Sequence, residues 1–158
     1  MNPTRNDLPA KTRKAMVELL NGSLADAMDL FSQAKQAHWN VKGPSFIALH
    51  ELFDKVSQQV EEFADDLAER AVALGGRADG TVRNAAKASS LDEFPHKIDV
   101  QSEFVDALAD RLSAFGKGVR AAIDTASEAK DQGTADLYTG ISRETDKLLW
   151  FVESHTKK

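Results

Sequence analysis

The most constraining feature of this sequence is one unbroken apolar stripe. Leu49, Leu52, Phe53, Val56, Val60, Phe63, Leu67, Ala71 and Leu74 recur mostly at steps of three and four residues. That is the period of a helix face, and the stripe is far too long for a strand. It predicts a helix from a cap at Ser45 to Leu74, roughly 45 Å long at 1.5 Å per residue. Gly75-Gly76 follows at the position where glycine ends helices. A helix of that length has nothing of its own to cover its stripe, so it demands long helical partners.

The rest of the chain supplies them. Leu20, Leu24, Phe31, Ala34 and His38 mark a helix from Lys11 to His38, with Asp7 and Pro9 just upstream and the turn signal Gly43-Pro44 beyond it. Asp99 is expected to cap a third long helix reaching Lys130. Gly116 and Gly118 lie inside it and cost about 1 kcal/mol each against alanine, so they point to a close neighbour or a bend. Asp131-Gln132-Gly133 breaks the chain, and Thr134 is expected to cap a fourth helix to Ser154, carrying Leu137, Ile141, Leu148, Leu149 and Val152. Residues 75–98 form a long connection with a short helix, Val82 to Ala88, ended by Leu91-Asp92-Glu93-Phe94-Pro95. The expected fold class is therefore all-α. Two short turns and one long crossover are the connectivity of a ferritin-like four-helix bundle. A single domain over residues 1–158 is expected, with 1–10 as a short N-terminal tail.

Composition narrows the chemistry. There is no cysteine, which excludes disulfides, thiol catalysis and thiolate metal sites. The net charge is −5, which disfavours a nucleic-acid-binding body. No apolar run approaches the length of a transmembrane helix. Met1 to Asp7 has no hydrophobic region, so no secretory signal is expected and the chain is placed in the cytoplasm, with the nucleoid as a second location.

The histidines and carboxylates of the second helix form a pattern. His50 and Asp54 are i and i+4 and share a face; so are Asp65 and Glu69. The eleven residues from Asp54 to Asp65 are about three turns, which puts both pairs on roughly one side. Imidazole with carboxylate suits iron, manganese or zinc. Yet His50 and Asp65 are fifteen residues apart, ~22 Å along the axis, whereas ligand bonds are only ~2.0–2.6 Å long. One chain cannot close such a site. The four positions are, however, symmetric about residues 59 and 60. A two-fold axis there sets His50 against Glu69 of a second copy and Asp54 against its Asp65, making two equivalent sites per dimer. His38 lies across the Gly43-Pro44 turn from His50, in position to join the same site.

At these residues the chain resembles a known family. His38-Trp39-Asn40-Val41-Lys42-Gly43, followed by Phe46, Ile47 and His50, is similar to the first signature of Dps, the miniferritins or DNA-binding proteins from starved cells. Asp65-Asp66-Leu67-Ala68-Glu69-Arg70 with Leu74-Gly75-Gly76 resembles the second, and the likeness reaches Asp146-Lys147-Leu148-Leu149-Trp150-Phe151-Val152-Glu153-Ser154. The resemblance implies a four-helix subunit in a hollow homododecamer. It implies ferroxidase centres at two-fold interfaces, where hydrogen peroxide is the preferred oxidant of ferrous iron and ferric mineral is stored inside. The family's ligands carry over onto His38, His50 and Asp54 of one subunit and Asp65 and Glu69 of its neighbour. Iron is the expected metal, with zinc or manganese as other occupants of the same site. The resemblance also places a tryptophan such as Trp39 near the iron, where it intercepts stray oxidants; the plainer expectation is that Trp39 packs the turn. Asp66 is one residue off the ligand register, and Arg70 is expected to pair with an acidic neighbour. A family pore near the junction of the last two long helices makes Asp124, Glu128, Asp131 and Asp136 candidates for an acidic ring.

Ordinary ferritins use helical Glu-x-x-His motifs within one bundle. The only such string here, Glu93-Phe94-Pro95-His96, contains a proline that opposes a helical pairing. His96 and His155 are expected at the surface. The chain departs from strongly DNA-binding relatives in its basic residues. Only Arg5 precedes Lys11, Arg13 and Lys14, and the C-terminus offers Lys157 and Lys158. DNA binding is expected to be weak or absent; the alternative function is a nucleoid-compacting DNA-binding protein with secondary metal binding.

Overall fold

The structure, a computed structural model, describes residues 1–156, so Lys157 and Lys158 lie outside the described residues. Those residues form five helices and no strand: α1 (Ala10–Asn40), α2 (Phe46–Ala73), α3 (Val82–Ala88), α4 (Gln101–Glu128) and α5 (Gln132–Glu153). Every stripe residue named on α2 is buried except Leu52, which is half-buried. Leu20, Leu24 and Leu30 of α1 and Leu108, Leu112 and Phe115 of α4 meet them in one continuous core. Each such side chain contributes about 1.5–3 kcal/mol by leaving water, and this burial, more than helix propensity, holds helices of this length.

The turns are set by backbone chemistry. At the end of α2, Gly75 has φ +84°, and Gly76 N–H donates to the Ala71 carbonyl at 2.9 Å, a Schellman closure. A Cβ on Gly76 would lie 2.5 Å from both Val17 methyls, so the turn is packed onto α1 with no space for a side chain. Residues 1–9 are not helical, but they are tied down. Asn2 N–H donates to the Gly75 carbonyl, and Arg13 donates to the carbonyls of Leu8 (3.0 Å) and Leu74 (3.1 Å).

Two caps differ from expectation. Val100, not Asp99, stands at the start of α4, and the Glu103 carboxylate accepts the N–H groups of Asp99 (3.3 Å) and Val100 (3.1 Å). A carboxylate in the first turn replaces the upstream cap. At α5 the cap is Asp131, whose side chain accepts Thr134 N–H at 3.0 Å. The chain break lies at Lys130, at φ 62°, and Gly133 is inside the helix. Gly116 is a close approach, 3.3 Å from a Thr145 methyl to an added Cβ, whereas Gly118 faces open space.

The crossover fixes the topology. Asn21 bonds the backbone of Arg77 and Asp79, Asp26 and Asp29 bond Ser89 and Ser90, and Gln33 donates to the Asp92 carbonyl. The crossover thus runs along α1 in the direction of α1. It delivers α4 to the end of the bundle where α2 begins, and there Gln101 of α4 accepts the Ser45 N–H at 2.9 Å. The two antiparallel pairs, α1 with α2 and α4 with α5, are thereby joined with α2 and α4 parallel. That is the ferritin-like arrangement.

Candidate metal centre

The turn between α1 and α2 brings His38 and His50 together. Nδ1 of His38 lies 2.7 Å from the His50 carbonyl oxygen, and Nδ1 of His50 lies 2.9 Å from the His38 carbonyl oxygen. A carbonyl only accepts, so each Nδ1 carries a proton and donates it. In each neutral ring Nε2 then presents a lone pair, the form a metal needs. The rings stack with centroids 3.8 Å apart and planes 20° apart, and Phe46 covers His50 at 5.0 Å. Two reciprocal bonds therefore lock both the tautomer and the orientation of two potential ligands.

Asp54 follows one turn after His50. Its Oδ1 accepts Lys35 Nζ at 2.7 Å and its Oδ2 accepts Gln58 Nε2 at 2.8 Å. The Lys35 ammonium holds the Asp54 carboxyl below the usual carboxylate range, against the opposing effect of desolvation. Sequence reasoning missed Lys35. Its partner Asp54 is nineteen residues on and on another helix, and no spacing in the sequence pairs them.

Asp65 and Glu69 occupy the far half of α2. Both are exposed, and neither takes part in an ion pair among the described residues. The structure brings His38 and His50 together at one end of the α1–α2 hairpin, with Asp54 one turn after His50, and places Asp65 ~22 Å along the axis from His50 and Glu69 one turn further. Among the described residues, no three His, Asp or Glu side chains of one chain are placed to hold an ion. The donor set of neutral imidazole and carboxylate fits iron in either oxidation state.

Other expected residues fall as follows. Asp66 is exposed beside Asp65, and His96 and His155 are exposed. Residues 93–96 are not helical, so Glu93 and His96 form no helical motif. Arg70 does pair with an acid: it donates to Asp131 Oδ1 at 2.8 Å and to Thr134 Oγ1 at 3.0 Å. This corrects one expectation. Asp131 is 2% exposed, spent on Arg70 and on capping α5, and has no place in an acidic ring with exposed Asp124, Glu128 and Asp136. Trp39 is 66% exposed and does not pack the turn within the subunit.

Comparison with known proteins agrees with this architecture. Residues 17–158 match the ferritin-like domain family. The DNA protection during starvation protein of Agrobacterium fabrum is 43% identical over 155 residues, covering 98% of this chain and 96% of that protein. The Dps of Mycobacterium smegmatis in a tetragonal crystal form superposes with a TM-score of 0.93 at 29% identity, over 99% of this chain and 96% of that one. Dps of Vibrio cholerae O1, described as a member of a broad superfamily of ferritin-like diiron-carboxylate proteins, gives 0.88 at 27% identity, over 98% and 96%. With the family matched over nearly the whole chain and the helical topology in agreement, the chain belongs to the Dps proteins of the ferritin-like family.

Proposed function

We propose that this chain is an iron-storage and detoxification protein. It oxidises ferrous iron at centres built by His38, His50 and Asp54 of one subunit with Asp65 and Glu69 of a second. The observation that carries this reading is the histidine pair, whose reciprocal Nδ1 bonds leave two Nε2 donors committed to nothing else. The carboxylates supply the negative charge that favours the ferric product over the ferrous substrate. Hydrogen peroxide takes one electron from each of two ferrous ions and two protons, giving two ferric ions and two waters without releasing a radical. Exposed Trp39 beside His38 stands where a stray oxidant would meet it. Zinc and manganese fit the same donors without this redox cycle.

The subunits assemble as a hollow homododecamer with ferric mineral inside and DNA shielded from iron-driven oxidation, as the resemblance implies. Light scattering is expected to show about twelve subunits, as closed symmetry of the family requires; a stable, active monomer contradicts it. DNA binding is weak or absent: Arg13 is spent on the α2 terminus, and Asn2 anchors the N-terminal residues there. A gel shift that survives high salt would favour the nucleoid-compacting alternative. No described helix is long and apolar enough to cross a membrane.

The test is to add ferrous iron anaerobically, then peroxide or air, and follow ferric absorbance and protein-bound iron. Rapid oxidation with peroxide and retention of iron is expected. Iron that precipitates free of protein contradicts the proposal.

A further inference from the structure

Asp54 differs from the other four candidate ligands. Both of its oxygens are taken, Oδ1 by Lys35 and Oδ2 by Gln58. A cation that binds Asp54 therefore competes with a cation already there. Gln58 is neutral and leaves Oδ2 with capacity to accept more, but an ammonium 2.7 Å from Oδ1 is a direct competitor. Lys35 also has a second seat. It is i to the i+4 of Trp39 on α1, and its Nζ already lies 6.0 Å from the Trp39 ring centroid, at the outer limit of a cation–π contact. The Lys35 and Asp54 side chains are 26% and 32% exposed, so the pair is held loosely enough to exchange.

We infer that Lys35 is a place-holder for the metal: its ammonium competes with a divalent cation for the Asp54 carboxylate and moves onto the face of Trp39 when the cation wins. This rests on the reading of the five residues as the metal site. Lys35 is a positioning residue. It fixes the Asp54 carboxylate through Oδ1, and like-charge repulsion tunes how tightly the cation binds. The exchange leaves the subunit's charge on this face constant at the lysine and gives the departing ammonium an aromatic partner in place of bare solvent.

Zinc, which is redox-silent, tests this without turnover. The chain has two tryptophans, so Trp150→Phe leaves Trp39 as the only tryptophan, and excitation at the red edge of absorption leaves the single tyrosine dark. In that background, zinc titration of the assembled protein is expected to change Trp39 emission in step with binding. Lys35→Met is expected to abolish that change and to bind zinc about fivefold more tightly, the worth of a partly exposed ion pair. Methionine keeps the helix propensity of lysine, so folding is retained. Lys35→Arg restores the charge and is expected to bind zinc within about twofold of the parent. An unchanged Trp39 response in Lys35→Met, or binding no tighter than the parent, overturns the inference. His50→Ala separates the two levels. If it leaves zinc binding intact, the five-residue site is wrong and the inference falls with it. If it abolishes zinc binding while Lys35→Met changes nothing, only the role of Lys35 is wrong.

Discussion

The two ends of α2 carry the same kind of chemistry in opposite states of preparation. At the N-terminal end His50 is locked by a carbonyl and a stacked ring, and Asp54 already has Lys35 and Gln58 as partners. At the C-terminal end Asp65 and Glu69 stand exposed with no ion-pair partner among the described residues. The rigid ion pair at that end belongs to their neighbour Arg70, which faces the other way and clamps the α4–α5 turn through Asp131. The difference teaches a division of labour. The imidazoles must be pre-oriented, because a wrong tautomer offers a proton where a lone pair is needed. Carboxylates accept from either oxygen and tolerate being presented loosely. In the proposed site, one end of the helix is a prepared half and the other is given to a second chain.

If the proposed site is shared, ligand removal should break the two halves equally. His50→Ala and Glu69→Ala are each expected to lower peroxide-driven iron oxidation at least about 100-fold, beyond the loss seen when only an outer-shell partner is removed. Initial rates on protein of unchanged helical circular dichroism check this. A large loss for His50→Ala with normal activity for Glu69→Ala would make the site a one-sided one.

The next effect is on stability and lies under the donated half. Asp131→Ala leaves Arg70 without its buried partner and α5 without its cap. A cost of about 2–4 kcal/mol is expected, below that of a fully buried pair because Arg70 is 26% exposed. Denaturant unfolding of a form kept dissociated measures it. The Lys35–Asp54 pair at the other end has a far more exposed acid, 32% against 2%, and Lys35→Met is expected to cost under about 1 kcal/mol. Equal costs would erase the contrast between the two ends.

The smallest effect is on pH. The carboxyl of Asp54 titrates below its ordinary range in the folded chain, so the unfolded state binds the proton more readily. Its contribution is complete above the ordinary carboxylate range and is lost as pH falls through the lower, folded value. Lys35→Met should remove that part of the acid-side loss of stability, a fraction of about 1 kcal/mol for a partly exposed pair. An acid limb identical to the parent's would contradict the shift.

Much of this fold was legible because period survives without tertiary knowledge. The α2 stripe, the stop at Gly75-Gly76 and the short helix Val82–Ala88 all rest on residues within a few positions of one another. The caps were less legible because candidates compete locally. Thr134 is a sound cap by type, but Asp131, three residues earlier, offers a charged acceptor to the N–H of Thr134 itself and starts the helix sooner. Contacts across helices were not legible at all. Nothing in one sequence pairs Lys35 with Asp54 nineteen residues on, or Arg70 with Asp131 sixty-one residues on. Asp131 drops out of the expected acidic cluster for that reason. The spacing of the five candidate ligands was readable, but the mutual Nδ1 bonds that make His38 and His50 a pair needed the turn in three dimensions.

The proposed sharing of each site between two chains has a direct test. His50→Ala and Glu69→Ala proteins, each inactive alone, are unfolded, mixed equally and reassembled, with co-assembly confirmed by tagged subunits. Random pairing makes about half of the two-fold dimers mixed, and each mixed dimer holds one site with both lesions and one with neither. About a quarter of all sites are then intact, and iron oxidation by peroxide should recover to about a quarter of the parent rate if sites act independently. Confirmed co-assembly with no recovered activity would mean that every chain carries a lesion in its own site, and the shared centre would be wrong.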